Sequence, residues 1–142
     1  MIVNDPVFIP FKRMTNEEIL LNVILENEAV REALTRLNLS KKKLTALPKE
    51  IGQLTQLTSL DLDRNQLTAL PPEICQLTQL TSLDLGGNQL TALPPEIWQL
   101  TQLTSLYLYK NQLTALSNSP SLNILLICKL IFCLVLPKSA II

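Results

Sequence analysis

The feature that most constrains this chain is a period of 23 residues. Residues 57–79, "LTSLDLDRNQLTALPPEICQLTQ", are followed by residues 80–102, "LTSLDLGGNQLTALPPEIWQLTQ", which differ at only three positions. Residues 34–56, "LTRLNLSKKKLTALPKEIGQLTQ", are an earlier copy, and a fourth begins at residue 103 and loses the pattern after Leu116. A unit this short cannot bury its own leucines. It must bury them against its neighbours, so copies at fixed spacing stack into a solenoid with one continuous core.

The shared pattern is LxxLxLxxNxLxxLPxxIxxLxx. In the second copy Leu57, Leu60, Leu62, Leu67, Leu70, Ile74 and Leu77 are the apolar set. "SLDLD" alternates polar and apolar, the period of a short strand with one buried face. "LPPEI" then breaks that register: Pro72 suits a first helical position, Glu73 a first turn, and Ile74 and Leu77, three apart, share a face. Each copy is therefore expected to be a strand, a turn and a short helical or 3₁₀ return. Asn65, Asn88 and Asn111 fall where the strand turns away, where a side-chain amide can bond backbone groups of its own and the adjacent coil.

With these residues in place, the sequence resembles the leucine-rich repeat family, in its 23-residue "LPxxIxxL" form. It is especially similar to the near-identical arrays of bacteria, cyanobacteria among them. Related repeats stand beside GTPase domains in Roco-type signalling proteins and occur in Ras-binding scaffold proteins. The resemblance covers residues 34–116. It implies a right-handed α/β solenoid of about four coils with a parallel sheet on its concave face, and a protein-binding role for that face.

The residue inventory argues against an enzyme. There is no histidine, which removes Ser-His-Asp and Cys-His catalysis and histidine-based metal sites. Three glycines, Gly52, Gly86 and Gly87, form neither GxxxxGK[ST] nor GxGxxG, so no phosphate-cradling loop is expected. Cys75, Cys128 and Cys133 are odd in number and lack CxxC spacing, against a disulfide framework or zinc site. No cofactor and no metal are expected. Formal net charge is zero, against nucleic-acid binding. Asp61 and Asp84 align on adjacent coils about 5 Å apart and could in principle do acid–base work. As outward positions in water, one copied from the other, they read more simply as surface.

The outward strand positions of successive coils form the candidate partner-binding face: Arg36, Asn38 and Ser40; Ser59, Asp61 and Asp63; Ser82, Asp84 and Gly86; Ser105, Tyr107 and Tyr109. A backbone fixed by a core, with side chains free to vary, suits recognition. Both tyrosines of the chain lie here, as interface anchors or as cover for the last coil. Gly52, Cys75 and Trp98 share one position on the convex side, read as free to vary. Trp98 is expected to be exposed, and Cys75 is read as an accessible thiol without a base to activate it.

The ends depart from the repeat. Residues 15–33 are expected to form an amphipathic helix, opened by a Thr15–Glu18 capping box. Its face, Leu20, Val23, Ile24, Asn27, Val30 and Leu34, would close the core. "VFIPF", residues 7–11, is a candidate edge strand. Lys42 replaces the asparagine in the first coil, and "KKK" at 41–43 reads as a solvated edge. The opening residues lack the apolar run of a signal peptide. Residues 117–142 form an apolar tail, with residues 122–136 polar only at Asn123 and Lys129. That is short for a bilayer span and carries a lysine, leaving a cap, an anchor or an aberrant end. Three segments are expected, 1–33, 34–116 and 117–142, in a cytoplasmic, non-enzymatic interaction module of about 20 Å of face. The alternatives are the front of a larger Roco-like GTPase or a membrane-tethered repeat protein anchored by 122–136. The protein partner is unnamed.

Overall fold

Four three-residue strands follow one another along the chain: β1 (Arg36–Asn38), β2 (Ser59–Asp61), β3 (Ser82–Asp84) and β4 (Ser105–Tyr107). The structure is a computed structural model that describes residues 24 and 26–114. The strands pair in parallel in the order β1-β2-β3-β4, each residue opposite the one 23 positions on: Leu37 with Leu60, Leu60 with Leu83, Leu83 with Leu106. The middle leucine of each strand is buried while its neighbours are not, the alternation of a half-buried strand.

The return segments are 3₁₀ helices: η1 (Lys49–Gln53), η2 (Pro72–Gln76) and η3 (Pro95–Gln99). Pro71 and Pro94 hold the extended backbone (ψ 141° and 136°) that precedes each turn, while Pro72 and Pro95 enter it at the first helical positions. There the proline lacks only an N–H that would have had no partner. Each segment closes when a leucine N–H (Leu54, Leu77, Leu100) donates to the isoleucine carbonyl three residues back. Five residues place one isoleucine on the core and leave no length for an α-helix. Ile51, Ile74, Leu60, Leu62, Leu83 and Leu85 are sealed from water, and the buried set runs unbroken from Leu37 to Leu108. Truncating any such leucine costs about 2–5 kcal/mol.

Two polar ladders fix the spacing. Asn65 donates through Nδ2 to the carbonyls of Leu39 (2.8 Å) and Leu62 (2.9 Å), and its Oδ1 accepts from the N–H groups of Lys42 and Leu44, both 3.0 Å. Asn88 does the same one coil on, bonding Leu62 O, Leu85 O and Gly86 O and accepting from Leu67 N. Asn111 reaches Leu85 O and accepts from Leu90 N. Every asparagine thus serves the coil before its own. In the first coil, which a helical segment directly precedes, Lys42 stands at this position. On the opposite flank, Thr58, Thr81 and Thr104 each donate a hydroxyl hydrogen bond of 2.9–3.0 Å to the carbonyl of the threonine 23 residues earlier.

The N-terminal helix differs from the sequence expectation. Ile24 and Glu26 are helical, Asn27 is not, and a new helix α1 (Glu28–Ala33) starts after it. Asn27 is the cause: its backbone is extended (φ −95°, ψ 105°) and its Oδ1 accepts from Val30 N at 3.2 Å, an N-cap that ends one helix and opens another. The asparagine read as a polar interruption of one face is a boundary. Val30, expected on the core side, is exposed, and α1 buries no residue. Ile24 and Leu34 pack against the core, and Arg31 Nη1 donates to Gln53 Oε1 at 2.6 Å. The remainder of the expected cap, the candidate strand at 7–11 and the apolar tail with its 122–136 segment lie outside the described residues. Among the described residues, no helix is long and apolar enough to cross a membrane.

The ladder gives an expected outcome for mutation. Asn88→Ala removes hydrogen bonds from four backbone groups of the turns and should destabilise by about 3 kcal/mol or more in urea unfolding. Lys42→Ala, at the same repeat position, should stay within about 0.5 kcal/mol. Equal effects at the two positions would show that the asparagines do not carry the turns.

Candidate functional site

The sheet register arranges the outward side chains in three columns that run across the strands. One column is Arg36, Ser59, Ser82 and Ser105; the next is Asn38, Asp61, Asp84 and Tyr107. The third, just past the strand ends, is Ser40, Asp63, Gly86 and Tyr109. The fold brings these together on one face because each strand buries its central leucine on the other side.

The middle column has a local task that the sequence did not disclose. Asn38 Oδ1 accepts from Ser40 N (2.9 Å), Asp61 Oδ1 from Asp63 N (3.0 Å) and Asp84 Oδ1 from Gly86 N (2.9 Å). Each of these side chains ends its own strand by capping the residue two further on. The turn that follows passes through the left-handed region at Lys41 (φ 58°), Arg64 (52°), Gly87 (61°) and Lys110 (52°), the same position in each coil, and the first coil does so a second time at Lys43 (58°). Tyr107 occupies the same column without this bond, and at 37% exposure it is the large apolar side chain open on the face.

The carboxylates are less watery than expected. Asp61, Asp63 and Asp84 are all partly buried. Burial pushes the Asp84 carboxyl above its ordinary 3.8, opposed by the Gly86 N–H and reinforced by the charges of Asp63 and Asp61. Arg64 approaches Asp63 with Nε at 3.4 Å from Oδ2; the arginine is largely exposed, so solvent screens the pair and it contributes little. No group of acidic, cysteine or histidine side chains among the described residues is arranged to hold a metal ion.

Tyr109 does not stand free. Its hydroxyl donates to Asp63 Oδ1 at 2.6 Å, two coils back. That hydrogen bond, then burial, then the charges of Asp84 and Asp63 push its hydroxyl up to about 12. Gly86, read as an outward position, is buried beneath the ring.

On the convex side the position shared by Gly52, Cys75 and Trp98, read as free to vary, is closed in the first coil. A Cβ on Gly52 would meet Glu73 O and Gln76 Oε1, both at 2.6 Å, because η2 lies directly over it. Cys75, read as accessible, is buried, and burial together with the charge of Glu96 pushes its thiol from 9.0 to about 11. Trp98, expected exposed, is partly buried against the core, and its Nε1 has no hydrogen-bond partner among the described residues.

A family model described as "Leucine rich repeat" matches three overlapping segments, residues 32–90, 55–113 and 78–127. Among solved structures, the chain is similar to a leucine-rich repeat protein of Leptospira interrogans. The two are 47% identical with a TM-score of 0.60, over 63% of this chain and 24% of that one. The chain therefore spans about a quarter of that protein's length. An internalin of Listeria monocytogenes is similar at 21% identity, over 51% of this chain and 34% of that one, with a TM-score of 0.26, too loose to build on. No curated protein matches the sequence.

Cys75 offers a direct check of this packing. In a Cys128→Ser/Cys133→Ser background, Cys75 should react with a disulfide reagent only as the coils open, orders of magnitude faster in denaturant. Its ionisation also sets a sign. The unfolded chain loses the thiol proton near 9 and the folded chain near 11, so stability should fall as pH rises through that window. Rapid labelling of the native chain at pH 8 would contradict the burial.

Proposed function

Since this chain belongs to the leucine-rich repeat family, we propose that it is a non-enzymatic interaction module whose concave sheet face docks a protein partner. The observation that carries this reading is the outward face itself. Its backbone is fixed from behind by sealed leucines and from both flanks by the two ladders, while its side chains meet solvent. A partner loses little of its binding energy to ordering such a surface.

Residues Arg36, Asn38, Ser59, Asp61, Asp63, Ser82, Asp84, Ser105, Tyr107 and Tyr109 are proposed as the contact set. Tyr107 would be the anchor: it is exposed, aromatic and engaged in no hydrogen bond that binding would break. The partly buried carboxylates of coils 2 and 3 favour basic groups opposite them and a salt-sensitive association. A face of about 20 Å is small, so affinity would be modest for four coils alone. The proposed setting is intracellular scaffolding or signalling in the cytoplasm, with no cofactor. A second reading is that these coils work as part of a longer array, favoured by their match to about a quarter of the Leptospira protein.

The test is capture by the full chain, followed by titration with the captured protein. Tyr107→Ala should weaken binding about tenfold or more while leaving unfolding within about 0.5 kcal/mol. Gln99→Ala, on the convex η3, should bind as the parent does. The reverse pattern, loss at Gln99 and none at Tyr107, would move the interface to the other face.

A further inference from the structure

We propose that Tyr109 is a strap that ties the fourth coil to the second, so that coils 2 to 4 open as one unit. In a solenoid each coil touches only its neighbours, stability is close to a sum of nearest-neighbour terms, and the last coil frays first. The hydrogen bond from Tyr109 Oη to Asp63 Oδ1 breaks that rule, because it joins residues 46 apart and passes over the whole of coil 3.

The passage exists only because three positions in one column fit each other. Coil 2 supplies an acid, Asp63; coil 4 supplies a phenol long enough to reach it; coil 3 supplies no side chain, at Gly86. A Cβ there would fall inside the ring, against Cζ, Cε1 and Cε2 of Tyr109, and with the ring in place Gly86 is buried. Asp63 is held on its other oxygen by Arg64. The neighbouring Gly87 sits at φ +61° with Arg64 Cγ 3.1 Å from where its Cβ would be. Coils 2 and 3 differ at three positions only, and two of them, 63 against 86 and 64 against 87, belong to this arrangement. Copies otherwise alike are unlike where the strap crosses.

The experiment is native-state hydrogen exchange on the full chain. Ser105 and Gln112 donate their N–H groups from coil 4 to Thr81 O and Leu90 O, and Ser82 and Gln89 donate from coil 3 to Thr58 O and Leu67 O. In the parent chain the coil 4 amides should exchange at rates comparable with those of coil 3. Tyr109→Phe should speed Ser105 and Gln112 about tenfold or more and leave Ser82 and Gln89 nearly unchanged. Gly86→Ala should do the same with the hydroxyl intact, by expelling the ring. Asp63→Ala should match Tyr109→Phe, and the double variant should exchange no faster than either single one. Coil 4 amides already much faster than coil 3 in the parent, or additive effects of the two substitutions, would overturn the strap. Tyr109→Phe keeps the ring, so it tests the strap even where Gly86→Ala fails to fold.

Discussion

A buried turn has amides and carbonyls that no strand or helix satisfies, and this fold depends on how they are met. Each coil leaves its turn groups to an asparagine of the coil that follows, so Leu44 N and Leu39 O are completed by Asn65, and Leu62 O by Asn88. Leucine burial supplies the larger free energy, but it is indifferent to small slips between coils. The amide ladder is not, because donor and acceptor must meet within about 3 Å. Burial brings the coils together and the ladder sets their register.

The same economy is visible on the concave face. Asp61 and Asp84 each give one carboxylate oxygen to the backbone two residues on and remain part-exposed on the face. They hold their own strand ends while facing solvent, so a substitution chosen to alter recognition also loosens the turn beneath it. Tyr107, with no such duty, is where recognition and stability separate most cleanly. Tyr109 has moved to the other side of that division, its hydroxyl and ring committed within the chain.

Much of this was legible in the sequence because a strict repeat states every contact several times. The leucine positions, a short strand in each coil, a short helical or 3₁₀ return at the prolines and the backbone-bonding place of the asparagines all follow from spacing. What was missed are contacts the repeat does not state. The threonine ladder had a signal, since Thr35, Thr58, Thr81 and Thr104 are alike, but a threonine flanking a strand reads as surface. Tyr109 over Gly86 joins residues of different coils that obey no shared pattern. Gly52, Cys75 and Trp98 looked interchangeable because one column held three sizes, yet η2 closes over Gly52. At Asn27, apolar periodicity and capping chemistry gave opposite answers, and the cap prevailed over a helix continuous with its neighbours.

The ladders also govern how such a chain can change length. Asparagine and threonine bonds alike reach to a fixed place one coil away, so a gain or loss of a single residue within a coil would pull both flanks out of step together. Adding or removing a complete coil leaves every junction as it was, with a leucine, an asparagine and a threonine meeting the same partners. Array size therefore changes with least disruption in whole-coil steps, and the near-identity of residues 57–79 and 80–102 fits such a step.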